Sequence, residues 1–255
     1  MNPSRMTALV TGGARRIGRA IVEDLARNGF AVAIHAHRST SEAFALAEDV
    51  VAHGGKALAV KADLLDLDQA GSLVDRAAAA LGEPLRLVVN SASIFGDDSA
   101  DRPDFALWDK HFTIHVKVPV LLASKLAAQL PDGQDGLVVN MIDQRVWRLT
   151  PRYFSYTLSK SALWTATQTL AQGLAPKVRV NAVGPGPTLP SARQEQADFD
   201  RQVEGLIMGR GPAPAEFGAT IRYLWQARSV TGQMIALDGG QHLAWQTPDV
   251  TGIRE

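Results

Sequence analysis

Short apolar runs recur along the whole chain, and none of them alternates strictly with polar residues. They fall at 7–11, 31–35, 56–61, 85–90, 136–141, 177–183 and 233–237. Segments with helical periodicity separate most of them. Ile17, Ala20, Ile21 and Leu25, for example, share one helix face. Strands apolar on both faces, alternating with amphipathic helices, predict an α/β fold. The expected architecture is a single-domain, Rossmann-type doubly wound sheet of about seven parallel strands over residues 1–255. Helices are expected near 17–28, 41–53, 66–81, 107–130 and 153–174. Gly29, Gly54 and Gly82 would end the first three, and Pro119 would kink the fourth. Only 184–214 breaks the rhythm. It holds Pro185, Pro187, Pro190, Pro212 and Pro214, with a polar helical segment near 191–205. An insertion of this kind in a compact domain predicts a lid over a substrate site.

Composition removes several alternatives. The 26 Lys and Arg balance the 26 Asp and Glu, so the basic excess of a general nucleic-acid binder is missing. At 46% hydrophobic residues the chain is too apolar for disorder. With no cysteine there is no disulfide, zinc-thiolate or thiol chemistry. The six histidines show no metal-ligand spacing, so no metal is expected. No apolar run reaches the length of a membrane span, and the opening Met-Asn-Pro-Ser-Arg-Met lacks a signal-peptide stretch. A cytoplasmic protein is the expectation.

The first strand leads into Thr11-Gly12-Gly13-Ala14-Arg15-Arg16-Ile17-Gly18 and then a helix. At the C-terminal edge of a parallel sheet, such a turn presents free N–H groups and a helix N-terminus to an anion. It predicts a dinucleotide phosphate site. The second strand selects the nucleotide. A NAD site ends that strand with an acid for the ribose hydroxyls. Here it ends Ile34-His35-Ala36-His37-Arg38-Ser39. Arg38 and Ser39, helped by Arg16, suit a 2′-phosphate, so NADP(H) is expected.

Tyr156 and Lys160 lie four apart at the start of a predicted helix and share a face. A nearby ammonium favours an ionised phenol, which is expected to lower the Tyr156 pKa toward the range of acid catalysis.

The combination resembles the short-chain dehydrogenase/reductase family over nearly the whole chain. The matching segments are 11–18, Asp63, Asn90-Ser91-Ala92-Ser93, Tyr156 with Lys160, Gly184-Pro185-Gly186, Thr231-Gly232 and Asp238-Gly239-Gly240. The resemblance implies that Tyr156 donates the proton and that Lys160 holds the nicotinamide ribose. It puts Gly12, Arg16, Ile17, Gly18, His37, Arg38, Ser39, Asp63, Asn90, Ser91, Ala92, Pro185, Gly186 and Thr188 around the cofactor. Asp63 would meet the adenine, Asn90 would pack along the cofactor, and Thr188 would lie near the nicotinamide carboxamide or the phosphates. A homotetramer is also implied.

Departures from the family pattern sharpen the reading. Asp143 stands where a serine commonly binds a substrate carbonyl, His115 where an asparagine is usual, and Arg16 where a glycine is usual. An ionised carboxylate would repel a developing alkoxide but accept from an N–H edge. Arg16, the His37-Arg38-Ser39 run, Ser93, Phe95 and Asp143 are similar to the pteridine reductase branch. That resemblance implies a pterin stacked on Phe95, with Asp143 joining Tyr156 in proton delivery and Ser93 beside the ring. The expected function is NADPH-dependent reduction of a pterin-like C=N bond. The alternatives are a ketone reductase, which needs only Tyr156 and Lys160, and a cofactor-sensing protein without turnover. Trp147, Arg148 and Arg152 could contact substrate or lid. Trp245 could cover a site or reach a neighbouring subunit. His35 reads as a packed strand residue, and His53 and Lys56 as solvated.

Overall fold

Each apolar run becomes a strand: β1 Thr7–Thr11, β2 Ala31–Ala36, β3 Lys56–Lys61, β4 Leu87–Asn90, β5 Gly136–Met141, β6 Val178–Pro185 and β7 Met234–Leu237. They form one sheet in the order β3-β2-β1-β4-β5-β6-β7, and every pairing is parallel. The computed structural model describes residues 6–190, 194–247 and 249–252. Residues 1–5, and the first residues of the polar segment expected at 191–205, lie outside the described residues.

Helices cover both faces because successive side chains of a strand point to opposite sides. Ala8, Val10, Val32 and Ile34 pack with Ile21 and Leu25 of α1 (Arg16–Arg27) and with Leu46 of α2 (Thr40–Ala52). Leu9, Ala31 and Ala33 pack on the other side with Leu73 of α3 (Leu67–Leu81) and with Leu122 and Leu126 of α5 (Val118–Gln129). The Asp66 carboxylate accepts from the N–H groups of Asp68 and Gln69, which fixes the start of α3. Gly29, Gly54 and Gly82 take positive φ where the first three helices end, as the sequence predicts.

Three expectations are corrected. The single helix expected over 107–130 is two helices, α4 (Phe105–Phe112) and α5, joined by a π-turn at Thr113–Lys117. Pro119 has no N–H to give to the carbonyl four residues back, and the widened turn just before it takes up the mismatch. The polar segment is helical only over α7 (Gln196–Glu204) among the described residues. A helix that the sequence reading passed over, α8 (Pro214–Gln226), packs against α1, with Phe217, Ile221 and Leu224 fully buried. The long helix α6 (Phe154–Leu174) carries Tyr156 and Lys160, as expected. No helix among the described residues is long and apolar enough to cross a membrane.

Candidate active site

The strand order reverses between β1 and β4, and the crevice there is where a doubly wound sheet binds ligands. Thr11 fixes it. Its hydroxyl oxygen accepts from the Ser91 and Ala92 N–H groups at 3.0 Å each, which stitches the two strand ends together. The backbones then meet so closely that a Cβ on Gly12 would lie 2.9 Å from the Ala92 Cα. Gly12 also has φ +62, a region that favours glycine. A Cβ on Gly18 would stand 2.3 Å from the Gly12 carbonyl oxygen, so the helix start can sit directly under the turn. The cradle fits a pyrophosphate approached by backbone N–H groups.

His35, which the sequence suggested was a packing residue, does more. It is buried, and its Nδ1 accepts from the Gly12 N–H at 3.2 Å. Its Nε2 therefore carries the proton and donates to the Ala62 carbonyl at 3.1 Å. Burial pushes its pKa from 6.5 down to about 4, so the ring stays neutral and keeps the acceptor that the turn needs. As pH falls through 6.5, the unfolded chain binds protons that the folded chain refuses, and stability drops. His35 alone should remove about 2 kcal/mol by pH 5, at about 1.4 kcal/mol per unit. Burial lowers the pKa values of His111 and His115 as well, so they steepen the loss. Urea titrations from pH 7.5 to 5 should show this fall. A His35→Gln variant should show a shallower slope, and an equal slope would refute the assignment.

At the end of β2, His37 Nδ1 lies 3.7 Å from the Asp63 carboxylate, while Arg38 and Ser39 precede α2. The other basic side chains there have partners within the protein. Arg15 pairs with Glu42, and Arg19 with Glu23 at 2.7 Å, both on the exposed surface. Arg16, at φ +52, donates to the carbonyls of Leu189 and Pro190 at 3.0 and 2.8 Å. It ties the phosphate turn to the segment expected to form the lid.

The Tyr156 hydroxyl donates to Asp143 Oδ2 at 3.0 Å. Asp143 lies two residues past the end of β5, and its Oδ1 accepts the Arg145 N–H at 2.9 Å, which holds the carboxylate toward the phenol. The Arg145 guanidinium stands 3.6 Å away. Lys160 Nζ donates to the Met141 carbonyl at 2.7 Å and lies 5.6 Å from the Tyr156 ring centre. Burial brings Lys160 down to about 8, against the pull of Asp143. The expected lowering of the Tyr156 pKa is corrected. Burial, followed by the negative charge of Asp143, pushes it well above the ordinary value, and the phenol is a neutral donor at pH 7.

Above this pair sits an aromatic slot. The Phe95 ring is edge-on to Tyr156 at 4.8 Å and tilted against Tyr153 at 4.4 Å, with the Arg145 guanidinium 5.5 Å from its centre. Gly12, Arg16, Ile17, Gly18, Ser91 and Ala92 share one cleft of about 400 Å³ with Ser93, Asp143, Tyr156, Lys160, Pro185 and Gly186. A wider cleft of about 1300 Å³ opens outward from it past Phe95, Arg148, Arg152 and Gln202. Asn90 lies deeper, with its amide donating to Asn140 at 2.8 Å. Thr188 bonds within its own loop, to the Gly186 carbonyl. Two of the acids after β4 are structural. Asp98 receives the Ser155 N–H at the start of α6, and Asp104 receives the Leu107 N–H at the start of α4.

Residues 6–201 match the profile described as short chain dehydrogenase. The chain belongs to the short-chain dehydrogenase family. Among solved structures it is similar to FolM alternative dihydrofolate reductase 1 from Brucella suis in complex with NADP. That chain is 59% identical, with 96% of this chain and 98% of that one covered and a TM-score of 0.94. Among curated relatives, an uncharacterized oxidoreductase of Methylorubrum extorquens is 33% identical over 91% of this chain and 96% of its own. The 3-oxoacyl-[acyl-carrier-protein] reductase FabG of Staphylococcus epidermidis is 27% identical over 93% and 99%. This short-chain dehydrogenase thus pairs the family's Tyr156 and Lys160 with a carboxylate bonded directly to the tyrosine.

Proposed function

We propose that this chain is an NADPH-dependent reductase of a pterin-like C=N bond, converting a dihydropterin to a tetrahydropterin. The observation that carries the reading is the Tyr156–Asp143 hydrogen bond at 3.0 Å, set beneath the Phe95 ring. It places a neutral proton donor and an N–H acceptor side by side under an aromatic face, which suits a flat nitrogen heterocycle. The likeness to a structure named as a dihydrofolate reductase and solved with NADP supports it.

NADPH, when bound, supplies the hydride. Gly12, Ile17, Gly18, Ser91 and Ala92 would hold its pyrophosphate side, and Arg16, His37, Arg38 and Ser39 its 2′-phosphate. Asp63 would meet its adenine and Asn90 would pack along the cofactor, while Lys160, Pro185, Gly186 and Thr188 would hold the nicotinamide end. Phe95 and Ser93 orient the substrate ring. Tyr156 gives its proton to the ring nitrogen as the neighbouring carbon is reduced, and Asp143 returns a proton to the phenolate from solvent. Because burial keeps Tyr156 protonated, the proton leaves only when a basic nitrogen is in contact. Residues 184–214 act as the lid, with Arg16 as its tether to the phosphate turn. The protein works in the cytoplasm as a homo-oligomer, a tetramer by family resemblance. Phe105 on α4, 70% exposed, offers apolar surface for such contacts.

Purified protein should consume NADPH when given a dihydropterin, and no turnover with any dihydropterin or quinonoid pterin would refute the reading. Arg38→Ala should raise the KM for NADPH about 10- to 100-fold, the loss of one charge-assisted phosphate contact. The KM for NADH should stay within a factor of two or so, since NADH offers Arg38 no phosphate. Parallel changes for both cofactors would remove Arg38 from the 2′-phosphate site.

A further inference from the structure

His115 is the one member of the π-turn with both ring nitrogens engaged by different segments of the chain. Its Nε2 accepts the Ile94 N–H at 3.3 Å and lies 2.9 Å from the Ser93 hydroxyl. An acceptor at Nε2 leaves the proton on Nδ1, which lies 2.8 Å from the Ser159 hydroxyl. Ser159 in turn donates to the Tyr156 carbonyl at 2.7 Å. One imidazole thus spans from the segment just before Phe95 to the turn of α6 that carries Tyr156 and Lys160. The ring itself stands edge-on to Tyr156, with centres 5.3 Å apart, and stacks at 5.4 Å on His111, which is also edge-on to Tyr156 at 5.8 Å. It is buried, so its bonds do not compete with water. The π-turn is what aims it. The extra residue in that turn shifts the face that His115 presents, and such turns commonly serve functional sites.

We propose that His115 is a positioning residue that holds the Ser93–Phe95 segment in register with Tyr156, and so determines how firmly the site seats a flat ring beside these two side chains. This rests on the pterin reading above. The bridge's hydrogen bonds run to Ser93 and Ile94 on one side and to Ser159 of α6 on the other, none of them in the Gly12 turn. Losing it should therefore loosen substrate binding and leave cofactor binding alone.

The test compares the wild-type enzyme with His115→Phe and His115→Gln. Phenylalanine keeps the ring volume and the stacking but removes both bridging bonds. Its KM for dihydropterin should rise about tenfold, while kcat and the NADPH Kd from fluorescence titration stay within about threefold. Glutamine presents one donor and one acceptor, and it should recover much of the lost KM. In wild type, ¹⁵N NMR of the ring should show the neutral Nδ1–H tautomer at pH 7. An unchanged KM in His115→Phe overturns the proposal. So does a joint fall of substrate affinity, NADPH affinity and Tm, which a merely structural role would give. An Nε2–H tautomer or an imidazolium also overturns it, even if the variants do not fold. A wild-type enzyme that reduces no dihydropterin refutes the pterin reading instead, and the tautomer measurement still decides whether the bridge exists.

Discussion

Replacing Tyr156 by phenylalanine should lower kcat for dihydropterin reduction by about 10²- to 10⁴-fold, the range for loss of a positioned acid. The change removes one oxygen and keeps the ring that packs against Phe95 and His115. Asp143 loses the phenol as a donor but keeps the Arg145 N–H at 2.9 Å. Stability should therefore shift by only about 1 kcal/mol, the worth of one hydrogen bond. NADPH affinity should hold, because the phosphate turn is fixed by Thr11 and His35 rather than by the phenol. Steady-state kinetics at saturating NADPH measure the effect. A kcat within a few-fold of wild type would mean that the proton reaches the substrate from elsewhere.

The second large effect is a change of preference at Asp143. Asp143→Ser should lower dihydropterin turnover by about 10²-fold or more, because proton return to Tyr156 and the acceptor for a ring N–H go together. Ketone reduction should rise at least about tenfold in the same variant. A carboxylate 3.0 Å from the phenol faces the place where an alkoxide would form, and a serine hydroxyl would donate there instead. Asp143→Asn separates the two contributions. The amide can donate to an alkoxide but cannot carry a proton to the phenol, so it should lose dihydropterin activity and gain ketone activity to a smaller degree. Paired assays on one dihydropterin and one small ketone read both changes. Equal losses on both substrates would sink the electrostatic argument.

The sheet and the reacting pair were legible in the sequence because each depends on local pattern. Apolar runs without polar alternation imply parallel strands, and Tyr156 with Lys160 imply one helix face whatever surrounds them. Asp143 stood out because it departs from the serine that the family resemblance places at that position. What escaped was set by contacts between distant segments. His35 looks like strand packing until β2 is laid beside β1, when its Nδ1 meets the Gly12 N–H. The high pKa of Tyr156 comes from burial, which no spacing of Tyr and Lys reveals. The engagement of Arg15 and Arg19 by Glu42 and Glu23 likewise needs the folded helices. Helix α8 was recoverable. Phe217, Ile221, Leu224 and Trp225 follow helical spacing after Pro214, but no element was assigned between the proline-rich insertion and the last strand.

The pairing of β1 with β4 joins Thr11 to Asn90, the widest separation along the chain of any neighbouring strands in the sheet. The crevice between them is therefore closed by the longest loop that the chain must gather, and loop closure of this kind sets folding speed. During refolding, helices and the β2–β3 ladder can form while the nucleotide cradle is still absent. Recovery of ligand-binding competence should lag the recovery of far-ultraviolet circular dichroism. A newly made chain would thus pass through a window in which it is largely structured yet catalytically silent.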